Sequence, residues 1–146
     1  MLKQNMNKTK ILFVCIHNSA RSQMAEAFVN TYNGDKFYAE SAGLEPGTLN
    51  PLVVKSMSEI GIDISKNLTK DVFTFFKEGR TYDYVITVCD EASGQRCPIF
   101  PGALEKINWS FKDPSALNGA EEEKLERIGE IRDSIKDKVN EFLKPL

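Results

Sequence analysis

Cysteine, arginine and serine stand in this chain at a spacing that suits one kind of chemistry. The run Cys15-Ile16-His17-Asn18-Ser19-Ala20-Arg21-Ser22 lies between a short apolar stretch (Ile11, Leu12, Phe13, Val14) and a stretch of helical composition from Gln23 to Val29. A thiol at the end of a buried strand, a short loop, then Arg and Ser opening a helix is a layout for holding a tetrahedral oxyanion over a thiolate. The helix N-terminus offers unpaired N–H groups and the positive end of the backbone dipole. A thiol placed there is favoured in its thiolate form. Arg21 adds a planar fork that grips two oxyanion oxygens at once. The Ser22 hydroxyl is placed to donate to the sulfur and equally suits an N-terminal helix cap. Cys15 alone would read as a small buried hydrophobe, but its spacing to Arg21 and Ser22 favours a nucleophile that attacks a phosphate-like anion.

Such a loop needs a rigid frame, and the rest of the chain alternates strand and helix patterns. Lys10 to Val14 is a continuous apolar strand of the kind buried in a parallel sheet. Ser22 to Tyr32 reads as a helix ended near Asn33-Gly34, and Phe37 to Ser41 as a second strand closed by Ala42-Gly43. Asn50-Pro51 starts a helix that Gly61 stops, and Thr69 to Phe76 forms a short helix. Tyr84 to Val88 and Ile107 to Phe111 are the third and fourth strands, and a long amphipathic helix runs from about Glu121 to Leu143. Trp109 and the Phe73, Phe75 and Phe76 group are expected in the core. The fold class is α/β, a three-layer sandwich with a central four-stranded parallel sheet flanked by helices. Ligands bind beyond the carboxyl ends of such strands. Cys15, Ser41, Cys89 and Asp113 would gather at that edge.

The 146 residues are read as a single domain, with residues 1–9 a flexible extension. A net charge of −2 without long basic blocks gives no general attraction to nucleic acid or anionic lipid, so an anion must be held by a local site. The apolar run at Ile11 to Ile16 is too short for a signal-peptide core or a membrane span, which makes the cytoplasm the expected compartment; a monomer is the expected state. Three cysteines, Cys15, Cys89 and Cys97, argue against a secreted disulfide framework. One histidine and no Cys-x-x-Cys pair make a four-ligand zinc site hard to assemble. His17 lies within the loop, at the rim of the site, without a catalytic role. Asn18 tolerates left-handed backbone and is expected to shape the loop.

The Cys-x5-Arg-Ser run followed by Gln23-Met24-Ala25-Glu26 resembles the phosphate-binding loop of low-molecular-weight protein tyrosine phosphatases. It is more closely similar to that of their relatives, the thioredoxin-coupled arsenate reductases. Ser41-Ala42-Gly43, Ile62-Asp63-Ile64-Ser65, Asp113-Pro114 and the terminal helix match that superfamily in order. The resemblance implies that the backbone amides of Ile16, His17, Asn18, Ser19, Ala20 and Arg21 cradle the substrate and that Asp113 is the general acid. On its own, Asp113 before a proline is also an ordinary loop-starting residue. Phosphatases of this superfamily usually carry aromatic residues after Asp-Pro, where Ser115 and Ala116 stand here.

Cys97-Pro98-Ile99-Phe100-Pro101 resembles the sequence around the third cysteine of the reductases, with seven residues between Cys89 and Cys97. The resemblance implies a Cys15, Cys89, Cys97 thiol–disulfide relay that reduces arsenate to arsenite and is regenerated by thioredoxin, with no bound cofactor and weak phosphatase activity. Two unconnected structural cysteines, in a phosphatase working through a Cys15 phosphoenzyme, are the alternative. Disulfide partners need Cα atoms within about 7 Å, so a relay through Cys89 implies that the 89–97 segment moves. Some reductases of this family bind potassium through comparable positions. Asn18, Glu26 and Ser41 match that set, Asp71 only across a gap, and ordinary polar satisfaction is the other reading.

Overall fold

The computed structural model describes residues 8–89 and 103–146. Among them, four strands form one parallel sheet: β1 (Thr9–Cys15), β2 (Phe37–Gly43), β3 (Tyr82–Cys89) and β4 (Ala103–Ser110), in the order β2-β1-β3-β4. Helices α1 (Arg21–Tyr32), α2 (Pro51–Ser58), α3 (Val72–Lys77) and α4 (Glu121–Leu143) connect and flank them, with a 3-10 turn at Pro114–Ala116. The expected α/β sandwich with four parallel strands is the observed one. β1 starts one residue earlier than the sequence suggests, with Thr9, expected in the extension, already paired to Phe37.

Alternation along β1 divides the core. Ile11, Phe13 and Cys15 join the large cluster built with α1, α2 and α4, around Met24, Phe28, Met57, Ile128 and Ile135. Leu12 and Val14 face the other way, onto Val72 and Phe75 of α3 with Ala42 and Val85. Both faces of β1 are therefore buried, which is why its sequence is continuously apolar. Trp109 is buried as expected, but Phe73 and Phe76 are 50% and 53% exposed. A helix this short presents only one stripe to the sheet, and Val72 and Phe75, three apart, occupy it. The expectation of a buried three-phenylalanine group holds for Phe75 alone.

The chain leaves β1 toward β2 on one side and later returns to β3 on the other. The strand order thus reverses between β1 and β3, and α/β sheets bind ligands at the carboxyl edge of such a reversal. Cys15 ends β1 at that place.

Candidate active site

β1 carries its last residue, Cys15, to the sheet edge in register with Gly43 of β2, and five residues of loop lead to Arg21, the first residue of α1. β2 runs two residues past Ser41, its expected end, so Gly43 and not Ser41 stands level with Cys15. Only glycine fits there. A Cβ on Gly43 would lie 2.8 Å from the Ile16 carbonyl oxygen and 2.9 Å from the Asn18 nitrogen.

The loop's carbonyls are drawn outward, one after another. Cys15 O accepts from Leu44 N at 3.1 Å, Ile16 O from Glu45 N at 2.8 Å, His17 O from Gly47 N at 3.0 Å and Ser19 O from Asn50 N at 2.9 Å. Asn18 O accepts from the Gln23 side chain at 3.2 Å. Peptide groups whose oxygens are anchored outside leave their N–H groups for the concave side, the arrangement of an anion-binding nest. Asn18 turns the chain with φ of 54°, the left-handed geometry expected of it. No side chain caps the start of α1, so the positive end of its dipole faces the loop.

The sulfur sits among donors. Asn18 N–H donates to Cys15 Sγ at 3.0 Å, and Ser22 Oγ lies 2.9 Å from the same sulfur. Asn18 Nδ2, which can only donate, is 2.7 Å from Ser22 Oγ. Ser22 therefore accepts from Asn18 and turns its own proton toward the sulfur. The cap role weighed for Ser22 falls away, because its hydroxyl is committed to Cys15.

Arg21 is buried, with Nη1 donating to Phe111 O at 3.0 Å and Nη2 3.7 Å from Asp113 Oδ2. The structure thus brings Asp113 to the arginine that follows the loop. Its other oxygen, Oδ1, accepts from Ser115 N at 2.9 Å and starts the 3-10 turn. One oxygen thus faces Arg21, and the other serves the loop-starting role. Ser115 in turn accepts from Asn50 Nδ2 at 3.0 Å. His17 is exposed at the rim, its Nδ1 2.9 Å from Glu45 O, away from the sulfur.

Asn18, Glu26 and Ser41 each have protein partners, the arrangement of ordinary polar satisfaction. Ser41 Oγ donates to Glu26 Oε1 at 3.2 Å, and the Lys70 ammonium lies 3.3 Å from the same oxygen. Asn18 Oδ1 accepts from Lys70 N and Gln23 Nε2, each at 3.0 Å, while Asp71 caps α3 through Phe73 N at 2.8 Å. Lys70 thus supplies a positive charge beside Glu26. Burial raises the Glu26 pKa above the ordinary carboxylate value, against the pull of Lys70. Lys70, Gln23 and Gly43 were not legible as site residues from spacing. The only signals were a polar Gln23 directly after Ser22 and the small Ser41-Ala42-Gly43 run.

Cys89 is the last residue of β3, paired to Ser110 of β4. Since Val14 pairs with Thr87, the backbone sets Cys15 and Cys89 at the same edge on adjacent strands. Cys97 and the segment expected to move lie outside the described residues.

Relatives bear on the same chain. The Bacillus subtilis arsenate reductase is 41% identical over 94% of this chain and 96% of its own length. A solved arsenate reductase in its phosphate-binding state superposes with a TM-score of 0.78 at 31% identity, covering 94% of this chain and 98% of that one. A thioredoxin-dependent arsenate reductase of Corynebacterium glutamicum matches with a TM-score of 0.61 at 29% identity, over 94% of this chain and 65% of that one. The model of the low molecular weight phosphotyrosine protein phosphatase family matches residues 10–146, and the chain belongs to that family, with arsenate reductases as its relatives.

Proposed function

We propose that this protein reduces arsenate to arsenite with Cys15 as nucleophile, Cys89 and Cys97 as relay cysteines and thioredoxin as the external reductant, in the reducing environment of the cytoplasm. The observation that carries the reading is the Cys15 sulfur held by Asn18 N–H and Ser22 beneath a loop whose carbonyls all point outward. Arsenate rests on the inward amides of residues 16–21 and on the Arg21 fork, as a tetrahedral anion is held at a helix N-terminus. The thiolate attacks arsenic, and Asp113 gives a proton to the departing oxygen, which leaves as water. Cys89 then attacks the Cys15 sulfur. The sulfur–arsenic bond breaks, its electron pair stays on arsenic, arsenite leaves, and a Cys15–Cys89 disulfide remains. Cys97 attacks Cys89 and frees Cys15, and a thioredoxin dithiol reduces the Cys89–Cys97 bond.

The placement of Cys15 and Cys89 at the ends of adjacent strands supports the first exchange. Phosphate stops at the phosphoenzyme, because thiols do not reduce phosphorus(V), and hydrolysis then gives weak phosphatase activity. A dedicated phosphatase would use the same Cys15, Arg21 and Asp113. Against that stands the polar Ser115, tied to Asn50, where a ring-binding side chain would be needed. Arsenate-dependent NADPH oxidation with thioredoxin and its reductase separates the two. Sustained turnover is expected, whereas efficient aryl phosphate hydrolysis without arsenate reduction would overturn the proposal.

A further inference from the structure

Four of the five loop carbonyls from Cys15 to Ser19 are anchored by backbone N–H groups of the segment after β2, which any non-proline residue there would supply. The fifth, Asn18 O, depends on a side chain. We infer that Gln23 is a positioning residue for the anion cradle: its amide pins the Asn18 peptide outward and sets the polarity of the hydrogen bonds that reach the Cys15 sulfur.

Gln23 is wholly buried in the first turn of α1, and its amide is saturated. Nε2 lies 3.2 Å from Asn18 O, 3.0 Å from Asn18 Oδ1 and 2.9 Å from Leu68 O, and Oε1 accepts from Asn67 Nδ2 at 3.1 Å. Asn18 O and Leu68 O are carbonyls and only accept, so the end of Gln23 that faces them must be the NH2 group. That orientation leaves Asn18 Oδ1 as an acceptor, shared with the N–H of Lys70, and turns Asn18 Nδ2 to Ser22 Oγ. Ser22, thereby an acceptor, directs its proton to Cys15 Sγ. Each group fixes the next, from two backbone carbonyls to the nucleophile. The same amide also ties the loop to the 67–70 segment, so strand edge, loop and helix share one buried joint. Without the Nε2 donors, the Asn18 carbonyl loses its outward anchor, and the left-handed turn that aims Asn18 N–H at the sulfur is held only by Lys70 and the strand edge.

The inference rests on reading the loop as an oxyanion cradle, and the test separates the two. The full chain is compared as wild type, Gln23→Met, which keeps length and loses every hydrogen bond, and Gln23→Leu, which is shorter, uncharged and also loses every hydrogen bond. Two quantities are read: the Kd for inorganic phosphate by calorimetry, and the pH midpoint of Cys15 alkylation by iodoacetamide, followed by mass spectrometry of the Cys15 peptide. Phosphate affinity about tenfold weaker, the scale of one lost charge-linked hydrogen bond, and a midpoint moved upward in the folded variants are expected. A purely structural glutamine would lower the melting temperature and leave both quantities unchanged, and that result in either folded variant overturns the inference. If Gln23→Met does not fold, Gln23→Leu decides. Failure of the wild type to bind phosphate would sink the cradle reading, and the alkylation midpoint would still decide the role of Gln23.

Discussion

At the scale of single residues, the site is a set of donors arranged around one sulfur and one guanidinium. Arg21 is clamped between Phe111 O and the Asp113 carboxylate, so its fork is oriented before any anion arrives, and preorganised donors are the larger part of such catalysis. An Arg21→Lys variant keeps the charge and loses the two-point grip. It is expected to lose about a hundredfold or more in turnover, measured as arsenate-dependent NADPH oxidation; near-normal kinetics would contradict the assigned role. Glu26 gives a second test. Its folded pKa is raised chiefly by burial, so its stabilising share is present below the unfolded value and is lost as pH rises through the folded one. Glu26→Gln cannot titrate. The melting temperature of the variant relative to wild type should therefore rise from about pH 4 toward neutrality, and a gap that narrows in favour of wild type would refute it. Cys15, Arg21, Ser22 and Asp113 were legible because their chemistry is local in sequence or marked by a motif. Gln23 and Lys70 were not, since each is held partly by partners 44 to 52 residues away that only the fold brings together.

At the scale of elements, the candidate cradle is made by β1, the start of α1 and the irregular segment after β2, pressed closely together. Gly43 is the point of closest approach. Gly43→Ala would drive a methyl against the Ile16 carbonyl and the Asn18 nitrogen, where backbone has to yield. A loss of about 1–3 kcal/mol in stability, seen in urea denaturation, should come with weakened phosphate binding; unchanged affinity would show that the loop tolerates displacement. Element positions were largely readable from apolar runs and helical periodicity. Their ends were less so, because β2 continues through Ala42 and Gly43, whose small side chains mark closeness to the loop and not the end of a strand. The phenylalanines of α3 show the same limit: composition indicated burial, but the geometry of one short helix admits only one face.

At the scale of the whole molecule, two layers of helix hold a four-stranded sheet whose carboxyl edge carries Cys15 and the candidate site. The larger layer depends on α4, whose Ile128, Ile135 and Val139 are fully buried against the sheet-side core. Tyr84 and Trp109 lock onto Phe142 with ring centroids 5.2 Å and 5.6 Å apart in edge-on geometry. Ile135→Ala should cost about 2–5 kcal/mol in chemical denaturation without changing phosphate affinity in the folded fraction; an affinity loss would mean that α4 also shapes the site. The sheet order places Cys15 and Cys89 on neighbouring strands, which is what a relay between them requires. A single-turnover reaction with arsenate and no added reductant tests that relay most directly, with arsenite counted and disulfides mapped by mass spectrometry. Wild type should release one arsenite per protein and hold a Cys89–Cys97 bond, Cys97→Ser should release one and stop at Cys15–Cys89, and Cys15→Ser should release none. Arsenite formed by Cys15→Ser, or a Cys97→Ser protein that turns over without a Cys15–Cys89 bond, would contradict the mechanism.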